Sequence, residues 1–208
     1  DLLKQLIRKS NALLIRRQIC DRNTGPHDTI FNHLAQNAFS QDDPLEYMDD
    51  YLTSEGRIPT DDQFSRHFTQ EDFSRSDRTK YVLSKIEEDH YGHGGKEVVE
   101  SRYQVHIEHI LPEHPGKNLT RLWLEPFEIS DDQHDDFKKK IGNLTLLEED
   151  PNIRASNRSL SKKQEYYTEE KTDFEMTHEL QDRERWGVEE IEERSERLSE
   201  IAVDVWGL

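Results

Sequence analysis

Ile141-Gly142-Asn143-Leu144-Thr145-Leu146-Leu147, followed by Pro151-Asn152, is the stretch that sets the architecture. It reads as a strand opened by Gly-Asn, with a helix carrying a further Asn behind it. Its upstream counterpart is Val105-His106-Ile107-Glu108-His109-Ile110-Leu111-Pro112. There Tyr103, Val105 and Ile107 alternate, which predicts a short strand that Pro112 stops. Strand, long connection, strand and helix, with carboxylate, imidazole and amides at the joints, supply donors for one hard metal ion and one general base. That is the minimum needed to hydrolyse a phosphodiester.

Upstream of these strands, residues 1–91 carry helical periodicity throughout. Leu2, Leu3, Leu6, Ile7, Leu13 and Leu14 stripe a first helix that stops before Asn23-Thr24-Gly25-Pro26, and Ile30, Phe31, Leu34, Ala35 and Ala38 stripe a second. Asp43-Pro44 caps and opens a third, with Leu45, Met48 and Leu52 inward. Thr60 to Gln63 has capping-box spacing ahead of Phe64 and Phe68. Tyr81, Val82, Leu83 and Ile86 mark a longer helix ending at Gly92-His93-Gly94-Gly95, and the pattern changes from Glu97. These stripes read as core.

Between the strands, residues 113–136 form a long polar connection in which Leu119, Leu122, Trp123 and Leu124 make a helical turn that plugs the core. Asn152 to about Tyr167 reads as one helix rich in Ser, Asn, Arg and Lys. Val188, Ile191, Leu198, Ile201, Ala202 and Val205 line a strong last helix. The expected organisation is a helical subdomain over 1–95, a strand-strand-helix core over 96–168 and C-terminal helices over 169–208 that pack on it. The fold class is α+β, mostly helical.

Composition narrows the function. Of 208 residues 32% are hydrophobic and 35% charged, so the core must be economical. No apolar run approaches the roughly 20 residues that cross a bilayer, and no signal-peptide pattern opens the chain. The single Cys20 excludes an internal disulfide and a cysteine-rich zinc knuckle. An intracellular, cytoplasmic protein is expected. The first residue is Asp1 rather than Met, which reads as a piece of a longer protein.

Charge pulls the other way. With 45 acids against 28 bases the net charge is −17, the wrong sign for gripping a polyanion. A halophilic source is one account, since at molar salt the Debye length falls to about 3 Å. Another is that a second domain supplies the DNA affinity. A third is that the partner is not a nucleic acid.

Taken singly, the chemical residues are ordinary. Glu108-His109 reads as a surface ion pair beside a turn, Asn143 as a turn amide and Asn152 as a helix cap. In a regular strand Glu108 and His109 point to opposite faces, and a bend before Pro112 would be needed to turn both to one site. A neutral imidazole near its ordinary pKa of about 6.5 is matched to deprotonating water. Glu108 and Asn152 offer hard oxygens for Mg²⁺ or Mn²⁺. His106 shares a strand face with Glu108 and is a candidate third ligand. Arg154, Asn157, Arg158, Lys162 and Lys163 follow the second strand, where they are placed to hold phosphates, and Lys138-Lys139-Lys140 is the densest basic run. His114 and His134 read as solvated.

Order and spacing together are more specific. The segments Val105 to Pro112 and Ile141 to Asn157 resemble the HNH, or ββα-metal, nuclease motif. More narrowly they resemble the C-terminal domain of GmrSD-type modification-dependent restriction endonucleases and SspE-like phage-defence proteins. Those domains carry a Glu/Asp-His-Ile-x-Pro strand end, Ile-Gly-Asn-Leu-Thr-Leu-Leu, and a helix with Asn and a Ser-Asn pair, here Ser156-Asn157. The resemblance implies His109 as general base, Asn143 as the residue orienting the histidine loop, and Glu108 and Asn152 as ligands of one divalent ion. Glu stands where Asp is commoner, and Asn152 where His is common, which favours Mg²⁺ or Mn²⁺ over zinc or nickel.

The expectation is a metal-dependent DNA endonuclease that nicks, a double-strand break needing two copies, as in a homodimer, or repeated nicking, with a nucleotide-hydrolysing N-terminal domain as partner. Nothing in this chain resembles a phosphate-binding Gly-rich loop, so the chain alone is expected to bind no nucleotide. The alternatives are a helical interaction module whose nuclease site stays latent without its partner domain, and a nuclease directed at RNA.

Overall fold

A computed structural model describes residues 2–74, 76–92, 105–113 and 118–208. His93-Gly94-Gly95, the change of pattern at Glu97, Tyr103 and His114-Pro115-Gly116 lie outside the described residues. The fold is mostly helical α+β. Its helices are α1 (Leu2–Ile19), α2 (Pro26–Asn37), α3 (Pro44–Thr53), α4 (Asp61–Gln70), α5 (Ser76–His90), α6 (Glu125–Phe127), α7 (Asp131–Phe137), α8 (Glu149–Ala155), α9 (Leu160–Gln164), α10 (Glu175–His178) and α11 (Val188–Val205). A two-stranded antiparallel sheet joins β1 (Val105–His109) to β2 (Leu144–Glu148). No described helix is long and apolar enough to cross a membrane.

Contacts divide the chain into two units, Asp1–Phe68 with Ala202–Leu208, and Thr69–Ile201. The first is helical around Leu13, Ile30, Leu34, Met48, Leu52 and Ile58. Its helices start where the local chemistry directs. Asp43 Oδ1 accepts from the Leu45 and Glu46 N–H groups at 2.9 and 3.1 Å, and Pro44 lacks the N–H that would go unpaired there. Thr60 and Gln63 exchange the two bonds of a capping box at 3.2 and 3.3 Å.

The second unit holds the sheet. Val82, Leu83 and Ile86 of α5 are fully buried, and α5 packs on both strands. The register pairs Glu108 with Thr145 and His109 with Leu144. Leu144, Leu146 and Leu147 are wholly buried, as the apolar run of β2 demands. The plug expected between the strands is a π-helical turn, Thr120–Leu124, running into α6. Trp123 there is fully buried and donates to the Arg158 carbonyl at 3.0 Å.

Three elements differ from the sequence reading. The connection of 113–136 is not a continuous polar loop, because Ser130 and Gln133 form a capping box that starts α7. The Asn152–Tyr167 helix is two helices, α8 and α9. Pro151 in the first turn starts α8 at Glu149, and Ser156, at φ 43° and ψ −145°, ends it. Ser and Asn side chains compete for backbone groups and favour such breaks. Residues 141–143 are a 3₁₀ turn rather than strand, so β2 begins at Leu144.

Candidate active site

The order β1, β2, α8 brings the two segments of interest together, with α8 packed on both strands. The joint between them is built around Gly142 and Asn143. A Cβ on Gly142 would lie 2.0 Å from the Ile191 carbonyl oxygen and 2.4 Å from Ser195 Oγ, so only glycine fits. Its N–H donates to Ser195 Oγ at 3.0 Å, and Arg194 donates to the Gly142 and Leu144 carbonyls at 2.8 and 2.7 Å. Arg194 is buried, and that burial brings its pKa down to about 10.

Asn143 is fully buried and uses its whole hydrogen-bonding capacity. Oδ1 accepts from the Leu111 N–H at 2.7 Å and from Trp186 Nε1 at 3.1 Å. Nδ2 donates to the Leu111 and Lys138 carbonyls, each at 2.8 Å. With the Ile110 N–H on the Asn143 carbonyl at 3.0 Å, this residue clamps the chain immediately after His109. A turn amide that serves only its own turn does not reach a segment 32 residues away.

β1 stays extended through His109, so no bend turns Glu108 and His109 to one side. Glu108 is 5% exposed. Its Oε1 accepts from Lys163 Nζ at 2.7 Å and from the Tyr167 hydroxyl at 3.0 Å, and the His109 backbone N–H bonds the same carboxylate. Lys163 Nζ also donates to the His109 carbonyl at 2.5 Å. Burial pushes the Glu108 carboxyl up, while the charge of Lys163 and the three hydrogen bonds pull it back. Burial lowers the Lys163 ammonium in turn, and raises the Tyr167 phenol well above its ordinary range.

The His109 ring is half-buried on the opposite face. Its Nε2 lies 3.8 Å from Glu113 Oε2, and Lys139 Nζ lies 3.8 Å from Glu113 Oε1. Asn152 is in the first half of α8, partly exposed, and its side-chain amide bonds no described residue. His106 Nε2 is buried with no hydrogen-bond partner among the described residues. Arg154, Asn157, Arg158 and Lys162 are all exposed. Arg154 reaches Asp150 at 3.8 Å, and Lys162 reaches Glu165 at 2.6 Å.

Five basic or titratable residues are placed otherwise than expected. His134 is buried rather than solvated, its Nε2 2.8 Å from the Pro112 carbonyl oxygen, which helps set the chain beyond the strand. Lys163 is 1% exposed and cannot reach a phosphate. Lys138, Lys139 and Lys140 face Asp135, Glu113 and the Gln70 carbonyl, so the basic run is already engaged. No local pattern in the sequence marks Glu113 or Tyr167 as site residues. Glu113 stands four residues after His109, a spacing with no periodic signature outside a helix, and the partner of Tyr167 is 59 residues away.

A divalent ion implied by the resemblance needs Glu108 and Asn152 to face a common point. Glu108 oxygens that already hold an ammonium, a phenol and a peptide N–H do not fit that use. Among the described residues no group of three or more His, Cys, Asp or Glu side chains converges on a cation position.

No curated protein matches the chain. The C-terminal domain of GmrSD restriction endonucleases matches over residues 58–201, well over half of the 208 residues, and the chain therefore belongs to that family of restriction-endonuclease domains.

Proposed function

We propose that this domain nicks DNA by HNH-type hydrolysis, with His109 as the general base. The observation that carries the reading is the clamp of Asn143 on Leu111, which fixes the backbone two residues beyond a half-exposed imidazole. The ring takes a proton from water, whose oxygen forms the new bond to phosphorus as the bond to the leaving sugar oxygen breaks. The leaving oxygen is then protonated, and the imidazole returns to its neutral form. Exposed Arg154, Arg158, Lys162 and Asn157 lie after β2, where phosphate oxygens of the substrate would be held.

Mg²⁺ or Mn²⁺ is the proposed cofactor class, on the strength of the resemblance and of an Asn152 amide with no partner among the described residues. Glu108 does not fit as a ligand of that ion in this arrangement. One base serves one strand, so a single copy nicks and a double-strand break takes two copies or two events. A nucleotide-hydrolysing N-terminal domain and the cytoplasm remain the proposed partner and location.

The test is supercoiled plasmid with Mg²⁺ or Mn²⁺, with and without a chelator, comparing the chain with His109→Ala under a matched circular dichroism spectrum. Open-circle product from the parent and its loss by about 10²-fold or more in the variant are expected. Equal nicking by both would sink the assignment of His109. The net charge of −17 favours a second reading, in which the site stays latent without a partner domain. A parent chain with no DNA affinity at any salt concentration, but active when joined to that partner, would select it.

A further inference from the structure

We propose that Glu108, Lys163 and Tyr167 are a positioning device for His109, and that Lys163 is the resident cation of the corner. The inference rests on the reading of His109 as the base. Its ground is that the pair grips both backbone groups of that one residue. The Glu108 carboxylate accepts the His109 N–H, and Lys163 Nζ holds the His109 carbonyl at 2.5 Å while bonding Glu108 at 2.7 Å. Tyr167 adds a third bond to Glu108 at 3.0 Å. Asn143 does the same for Leu111, bonding both its N–H and its carbonyl. Residues 109 and 111 are thus each held by a side chain distant in sequence, Lys163 for 109 and Asn143 for 111, with neighbouring Glu108 completing the grip on 109.

The electrostatics fit this use. At 1% and 5% exposed, neither charge is solvated, so each neutralises the other. Nζ lies 5.7 Å from the centroid of the Trp123 ring, whose face favours a cation. A divalent ion on Glu108 would have to displace an ammonium that is 1% exposed. The strand itself gives the same answer. Glu108 leaves the face of β1 toward Lys163, and His109 leaves the other face, toward Glu113.

Two experiments decide it. Removing one partner strands a buried charge, whereas replacing both with apolar side chains of similar size is often tolerated. The double variant Glu108→Met, Lys163→Met should keep its spectrum, lose about 100-fold in kcat on plasmid and hold KM nearly constant, as expected of a misplaced base. Lys163→Arg, which keeps the charge, should recover part of the rate. A folded double variant that nicks at the parental rate would overturn the proposal.

The second experiment needs no substitution. The unaltered protein is treated with acetic anhydride, with and without saturating Mn²⁺, and its lysines are read by mass spectrometry. Lys162 should be labelled and Lys163 protected in both samples. Labelling of Lys163 only when Mn²⁺ is present would mean that the ion has taken its place on Glu108, and the proposal would fall. This result stands even if the double variant does not fold. Failure of the His109 reading would show separately, as parental nicking that His109→Ala leaves intact.

Discussion

Replacing Asn143 by Ala tests how the corner is held. The substitution strips four hydrogen bonds at once: from the Leu111 N–H at 2.7 Å, to the Leu111 carbonyl at 2.8 Å, to the Lys138 carbonyl at 2.8 Å and from Trp186 Nε1 at 3.1 Å. Three of the four are buried, and Asn143 itself has no exposed surface. A buried polar group left unpaired costs about 1–3 kcal/mol. Three of them at the low end give roughly 3 kcal/mol, and relaxation of the turn keeps the total below the roughly 5 kcal/mol that is exceptional for one substitution. For a chain of this size that is a fall in melting temperature of about 6–12 °C. Asn143→Asp separates size from bonding. It keeps the volume and the acceptor, but turns an oxygen toward the Leu111 and Lys138 carbonyls, so it should be at least as damaging as Ala. Urea titration followed by tryptophan fluorescence measures both, with the slope unchanged. A loss under about 1 kcal/mol for Ala, or an Asp variant as stable as the parent, would refute the clamp.

Two further outcomes follow from the surface and from acid. Arg154→Ala, Arg158→Ala and Lys162→Ala should each raise KM with little change in kcat, and each should reduce the slope of log affinity against log salt by about 1; an unchanged slope would take that side chain off the phosphate path. Glu179 accepts from both terminal guanidinium nitrogens of Arg197, Nη1 and Nη2, and from the Tyr91 hydroxyl at 2.8 Å. Burial pushes its carboxyl up, but these bonds outweigh burial and hold it below its ordinary value of 4.5. A depressed carboxyl contributes stability that is present above the unfolded pKa and is lost as pH falls through the folded one. The parent should therefore lose more melting temperature below about pH 4.5 than Glu179→Gln does, and parallel curves would remove this group from the acid response.

The parts legible in the sequence were those with a local period. Alternation at Val105 and Ile107 marked β1, the apolar stripes marked α1 to α5 as helices, and Asp43-Pro44 and Thr60 to Gln63 marked two starts. The expected core stripe of α1 is wrong in part, since Leu2, Leu3, Ile7 and Leu14 are exposed while Ala12, Ile15 and Ile19 are buried. Ser130 to Gln133 has the same capping signature as Thr60 to Gln63, yet its polar surroundings in Asp131-Asp132-Gln133-His134-Asp135-Asp136 gave α7 too little apolar stripe to stand out. The break at Ser156 was hidden for the opposite reason, because Lys, Arg and Gln around it all suit a helix. Site residues divide in the same way. Gly142 and Asn143 announced a special turn, but the contact that requires glycine comes from Ile191 and Ser195, about fifty positions on. Lys163 beside Lys162 looks like half of a solvated pair, and only the fold reveals that one faces water and the other Glu108. Periodicity reports which face is inward, whereas a buried ion pair depends on what a distant segment places opposite.

The glycine contact with α11 also orders events during synthesis. Ile191, Arg194 and Ser195 are the residues that seat the turn carrying Asn143. A nascent chain that has emerged only as far as the α8 segment already contains His109, Asn143 and Asn152, but lacks the surface on which their joint is set. The ribosome must release residue 195 before that joint can close. A potential DNA-cutting site is thereby kept unfinished until α11 has emerged.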